Sequence, residues 1–140
     1  MVITFNHIFF VSNDRIVFIY QKWYNTFNDW REKMIGNIVK VIVDRPLGSY
    51  HPVYQDMYYP INYGYIKGIL APDGEEQDAY ILGVDHPVET FTGKVIAIIH
   101  RYDDVEEKWV VAPMNKTYTL EEIQKQVTFQ ERYFNYEIKM

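Results

Sequence analysis

The chain has 140 residues, 48% of them hydrophobic and 24% charged, with a net charge of −5 and no cysteine. That length fits one domain. The absence of thiols excludes disulfides, zinc–thiolate sites and a cysteine nucleophile, and it permits a reducing, cytoplasmic setting. The acidic balance argues against binding a nucleic-acid backbone, and no apolar run approaches the ~18 residues of a membrane span. The opening stretch lacks the basic lead-in and small-residue cleavage site of a signal peptide.

In chain order, MVITFNHIFFVSNDRIVFIY is apolar and β-branched around a Ser12-Asn13-Asp14 turn, which predicts a hairpin. QKWYNTFNDWREK follows without a clean period. Residues 1–33 are therefore expected to be an N-terminal appendage, with the compact domain over 34–140. From Ile38 to Asp44, apolar Val39, Val41 and Val43 alternate with a mixed face, a strand stopped by Arg45-Pro46-Leu47-Gly48. MYYPINYGYI carries Pro60, which suits an edge or a bend. DAYILGV, KVIAIIHR (led in by a Thr92-Gly93 turn) and KWVVAP complete five strand candidates. No helix separates them, so the expected fold is mainly β with α: a small five-stranded, OB-like barrel rather than a parallel sheet. The barrel is packed by one C-terminal helix, TLEEIQKQVTFQERYFNYEI. It opens on Thr119 and Glu122 at capping-box spacing and carries a stripe of Leu120, Ile123, Val127, Phe134 and Ile138.

Charge is unevenly spread. From Asp73 to Glu107 there are ten acids against two bases. Such a block is ordinary solvated surface unless cations neutralise it. In APDGEEQDAY, Asp73-Gly74 signals a turn, and in the following strand Glu76 and Asp78 share one face. Oxygen-only ligands would select a hard cation, yet the spacing is not that of an EF-hand. The second cluster, HRYDDVEEKW, sets Asp103, Asp104, Glu106 and Glu107 before Lys108. It reads either as a charged hairpin or as acids beside a cation that faces an anionic ligand. Tyrosine is abundant, with 13 in the chain, and buried phenols want hydrogen-bond partners.

YYPINYGYI, then DGEEQDAY, then HRYDDVEEKWVV resemble, in order and spacing, the soluble magnesium-dependent inorganic pyrophosphatases of family I, over about residues 36–137. The resemblance implies metal ligands at Asp73, Glu75, Asp78, Glu106 and one of Asp103 and Asp104. It implies phosphate-binding roles for Lys40, Lys108 and Tyr133, and site-bordering roles for Tyr59 and Tyr63 on either side of Asn62. His51 stands in the region where the family has an arginine and is carried over as a substrate-binding candidate in its place; Ile42 stands where the family has a carboxylate, and Phe134 where it has a lysine. Two of the family's metal-binding aspartates are Glu75 and Glu106 here. The implied function is hydrolysis of inorganic pyrophosphate to two phosphates by metal-activated water, with Asp78, Tyr63 and Lys108 as catalytic groups. Mg²⁺ is the implied cofactor, with Mn²⁺ as an alternative, and a homo-oligomer is the implied assembly. Divalent ions are what would let an acidic site hold so anionic a substrate. The substitutions at Ile42, His51 and Phe134 favour an alternative, a non-catalytic relative that binds metal and phosphate. A single-stranded nucleic-acid barrel is a third reading, opposed by the local charge.

Overall fold

The computed structural model describes residues 31–102 and 106–140 in full, and Val2–Phe5 and Ile8–Val11 by their backbone. Those two short strands, β1 (Val2–Phe5) and β2 (Ile8–Val11), pair antiparallel with Phe5 opposite Ile8. The antiparallel pairing thus precedes Ser12-Asn13-Asp14, where the sequence predicts the turn; those residues lie outside the described ones, as do Trp23 and Trp30.

The barrel comprises β3 (Ile38–Arg45), β4 (Asn62–Leu70), β5 (Glu76–Ile81), β6 (Thr90–Arg101) and β7 (Glu107–Ala112). They pair in the order β3-β4-β5-β7-β6, and β3 pairs with β6 to close the ring. The expected small five-stranded barrel is what forms; it is closed, and its strands are mixed in direction. Only β5 and β7 run parallel. Closure gives every strand of the ring a neighbour on both sides. Its interior is filled by Val39, Val41, Ile66, Ala79, Ile81, Val95, Ile98, Trp109 and Val111, with Met34 and Ile35 packed against them.

Three boundaries differ from the sequence-based expectation. Thr92-Gly93 is not a turn: β6 runs through it, with Gly93 opposite Val39. Glycine is required there because a Cβ would lie 2.5 Å from the Ala112 carbonyl oxygen. β4 begins only at Asn62, after Pro60 has bent the chain. The helix α1 (Leu120–Glu131) ends earlier than its apolar stripe suggests. Tyr136–Lys139 instead forms β8, which hydrogen-bonds to the outer edge of β6. That open ladder outcompetes two more helical turns for the backbone groups of this segment. The predicted cap is present: Thr119 Oγ1 accepts from the Glu122 amide, and the Glu122 carboxylate accepts from the Thr119 amide.

The helix covers the outer face of the barrel through Ile123 and Val127. These pack with Tyr59, Ile61, Tyr63, Tyr80, Leu82, Ala97, Ile99, Val110 and Ala112. This second core, rich in phenols, is where the polar groups gather.

Candidate active site

Strand alternation sends Gln77, Ala79 and Ile81 of β5 inward and Asp78 and Tyr80 outward. Lys108 pairs with Asp78 across the parallel β5–β7 ladder, and Tyr65 pairs with Asp78 across β4–β5. Ile42 pairs with Tyr65 in turn, so Ile42, Tyr65, Asp78 and Lys108 form one row across the outer face. The next row carries Arg45, Tyr63 and Tyr80. Gly64 lies between the two β4 tyrosines. A Cβ there would fall 1.9 Å from the Ile42 carbonyl oxygen, so only glycine lets β3 approach β4 this closely.

Lys108 is the centre. Its side chain is only 6% exposed, and Nζ donates to Asp78 Oδ2 and to Glu106 Oε2, each at 2.6 Å. Those carboxylates keep 36% and 31% exposure, so a buried cation looks out through half-open acids. Nζ also lies 5.7 Å from the Tyr63 ring centroid. Burial alone would lower the lysine's pKa. The carboxylates of Asp78 and Glu106 oppose it, and the ammonium titrates well above the ordinary lysine range. Burial raises the Tyr63 phenol, although Lys108 opposes that shift, so Tyr63 is a neutral hydroxyl at physiological pH.

Arg45 was not singled out from the sequence. A bulge between Val43 and Arg45 breaks the β3–β4 register: Val43 faces Gly64, while Arg45 faces Tyr63. The extra residue, Asp44, moves Arg45 off the inward parity of Val41 and onto the outer face. There its Nη1 donates to Tyr59 Oη at 2.6 Å, and its guanidinium lies 5.6 and 5.4 Å from the ring centroids of Tyr59 and Tyr63. Asp44 joins the same neighbourhood. Burial raises its carboxyl pKa, Arg45 partly offsets this, and the Asp78 charge raises it further.

Behind the cluster runs a buried relay. Tyr59 Oη donates to Gln130 Oε1 at 2.8 Å, and Gln130 Nε2 donates to Tyr80 Oη at 2.9 Å. Tyr80 donates to Glu131 Oε2 at 2.6 Å, and Arg101 grips Glu131 with Nε and Nη2 at 2.8 and 2.6 Å. This relay fixes helix α1 to the tyrosines. Among the partners left open by sequence reading, Gln130, Glu131 and Arg101 are legible only after the helix docks.

The other sequence candidates are placed as follows. Asn62 holds loops together: its Oδ1 accepts from the Leu47 amide at 2.9 Å, and its Nδ2 donates to the His86 carbonyl at 2.9 Å. His51 Nδ1 accepts from the amides of Val53 and Tyr54, both at 3.0 Å, which ties it to its own loop, while its ring lies 6.4 Å from that of Tyr59. Lys40 is exposed opposite Thr92, one step along β3 from Ile42 on the same face. Tyr133 is exposed just past α1, and its hydroxyl accepts from Arg132 at 2.9 Å. Asp73 and Glu75 are exposed on the turn before β5, where Asp73 Oδ1 accepts from the Glu75 amide at 2.9 Å. Asp103 and Asp104 lie outside the described residues. Among the described residues no three of His, Asp and Glu converge as a ready-made metal cage. The convergent pair is Asp78 with Glu106.

A family model described as Pyrophosphatase: Inorganic pyrophosphatase matches residues 32–137. The chain belongs to the inorganic pyrophosphatase family. Its activity is the hydrolysis of inorganic pyrophosphate to two phosphates, and the family is metal-dependent, generally with Mg²⁺. Solved structures agree in fold. An inorganic pyrophosphatase from Neisseria gonorrhoeae is 22% identical with a TM-score of 0.55, over 70% of this chain and 74% of that one. The enzyme from Helicobacter pylori is 17% identical with a TM-score of 0.57, over 76% and 84%. The one from Ehrlichia chaffeensis is 18% identical with a TM-score of 0.57, over 75% and 86%. No curated protein matches the chain. Among the described residues no helix is long and apolar enough to cross a membrane.

Proposed function

We propose that pyrophosphate is hydrolysed at the outer-face cluster of Asp78, Lys108, Glu106, Tyr63, Tyr59 and Arg45. The observation that carries this reading is the buried Lys108 ammonium held between half-exposed carboxylates. A cation so placed can keep its charge while its partners turn to other cations, and it is desolvated enough to act strongly on a phosphate oxygen. Tyr63 supplies a neutral phenol donor beside it. Arg45 supplies the guanidinium that the resemblance looked for near His51. Lys40 and Tyr133, exposed at the margin, are candidates to close on the bound anion, with His51 as a loop anchor beside Tyr59.

The donor chemistry fits a hard divalent ion. Asp78 and Glu106 already hold a cation between oxygen atoms alone, and Lys108 stands in for such an ion. We assign Mg²⁺, with Mn²⁺ as an alternative, to Asp78 and Glu106, joined by Asp73 and Glu75 from the turn and by Asp103 or Asp104 from the β6–β7 hairpin. When bound, the metal lowers the pKa of a coordinated water and neutralises substrate charge. In hydrolysis the water oxygen forms a bond to one phosphorus, and the bond from that phosphorus to the bridging oxygen breaks. The bridging oxygen leaves on the second phosphate. Asp78 accepts a proton from the water, while Lys108, Arg45 and Tyr63 donate hydrogen bonds to the departing charge. The catalytic domain is proposed to begin near Met34. The proposed assembly is a homo-oligomer, and the proposed setting is the cytoplasm.

The test is phosphate release from pyrophosphate with Mg²⁺ and with Mn²⁺, in the natural chain and in Asp78→Asn. Activity is expected to fall by about 10²-fold or more with the substitution, as for other single groups acting on transition-state charge. Turnover untouched by Asp78→Asn removes this cluster as the site.

A further inference from the structure

We infer that Arg31, which lies just before the family-matched segment, is a positioning residue for the reaction: it clamps the two strands that carry Asp78 and Lys108. Arg31 is only 2% exposed. Its Nη1 donates to Gln77 Oε1 and to Glu107 Oε2, both at 3.0 Å, and its Nη2 donates to the Leu70 carbonyl at 3.1 Å. Gln77 directly precedes Asp78, and Glu107 directly precedes Lys108. Gln77 Nε2 in turn donates to the Asp78 carbonyl at 3.0 Å and to the Glu107 carbonyl at 2.8 Å. Three strands are thus held from inside the barrel at the level where, on the outside, Asp78 meets Lys108: β4 through Leu70, β5 through Gln77 and β7 through Glu107.

The charges explain why an arginine occupies this place. Glu107 is buried, and His100 Nδ1 lies 3.4 Å from its Oε1. A buried carboxylate needs a buried partner. Burial pulls the Arg31 guanidinium down, and Glu107 pulls it back towards its ordinary strength. A planar fork reaches several acceptors at fixed angles, which an ammonium cannot do. The segment after Arg31 is seated as well: the Gly36 amide donates to the Val95 carbonyl at 2.7 Å, and the Val95 amide donates to the Asn37 carbonyl at 2.9 Å. A residue that sequence reading assigns to an appendage therefore closes one end of the barrel beneath the reacting groups. Small displacements of such groups are costly: about 1 Å can lower a rate about 10²-fold.

The inference rests on Asp78 and Lys108 being the reacting pair, and the experiment separates the two claims. The full chain is compared with Arg31→Lys, with the double variant Arg31→Met/Glu107→Gln, and with Asp78→Asn. Each is measured for kcat and KM on pyrophosphate at saturating Mg²⁺ and for thermal midpoint. The double variant removes the buried charge together with its partner, so it is expected to melt close to the natural chain while kcat falls about tenfold or more. Arg31→Lys keeps the charge and loses the fork. It is expected to melt normally with a kcat several-fold lower, and it decides the matter if the double variant does not fold. Full kcat in whichever of these two variants melts like the natural chain overturns the positioning role. Should Asp78→Asn remain fully active, it is the site reading that fails.

Discussion

Two of the buried cations, Arg101 and Lys108, do opposite things. Arg101 meets Glu131 where both side chains are sealed, at 5% and 0% exposure, and Tyr80 takes up another lone pair of the same carboxylate. Lys108 is buried as deeply, yet its carboxylates stand half in solvent. The first pair is sealed on both sides, with Arg101 also lying 3.6 Å from the Phe134 ring centroid. Its charges are spent on each other, so it works as a strut between β6 and the end of α1. The second can exchange partners without leaving a charge stranded, because water or an incoming ion can take the place of either acid. Exposure of the partners, rather than burial of the cation, separates a structural ion pair from a chemical one. Gln130 links the two, accepting from Tyr59 on the site side and donating to Tyr80 on the strut side.

This contrast can be broken by experiment. The largest effect is expected for Arg101→Met, which leaves Glu131 charged and buried without its fork: a loss of about 3–5 kcal/mol in the denaturant midpoint extrapolation. Lys108→Met is expected to lower kcat about 10²–10³-fold, equivalent to about 2.7–4 kcal/mol of transition-state stabilisation. Its unfolding midpoint should move far less than that of Arg101→Met, because Asp78 and Glu106 can fall back on water. If Lys108→Met destabilises the fold as severely as Arg101→Met, the two pairs are of one kind and the distinction fails.

The smallest effect is at the margin of the cluster. Burial raises the Asp44 carboxyl above its ordinary value, with Asp78 adding to the shift. Between the ordinary and the raised value the folded chain holds more protons than the unfolded chain, so Asp44 lowers stability as pH rises through that window. Asp44→Asn should therefore melt slightly higher than the natural chain at pH 8. The gain should vanish below the ordinary carboxylate value of about 4. A gain that persists in acid would mean that charge is not the cause.

Much of the fold follows from patterns that act over a few residues. The alternation of Val39, Val41 and Val43, the short apolar runs of β5 and β7, and the Thr119–Glu122 cap each depend on local geometry, and each forms as the sequence suggests. The same is true of the strand face that Glu76 shares with Asp78, and of the order of tyrosines, acids and lysine that marks the family. Glycine at 64 is legible as a close approach only once β3 is known to lie against β4. The end of α1 was not legible either. The apolar stripe continues to Ile138, and only the open edge of β6 turns its last part into strand.

What the sequence determined by itself is which side chains are available and which neighbours along one strand share a face, because a period of two needs nothing beyond the strand. Tertiary structure decided which of them meet. The bulge at Asp44 inverts the parity of β3, so Arg45 arrives among the tyrosines although its position counts as inward. Barrel closure brings Arg31 to Gln77 and Glu107, 46 and 76 residues away along the chain. Docking of α1 supplies Gln130 and Glu131 to Tyr59 and Tyr80. Each of these contacts depends on a register or a ring closure, and no local pattern encodes it, since its energy exists only when distant segments are already in place.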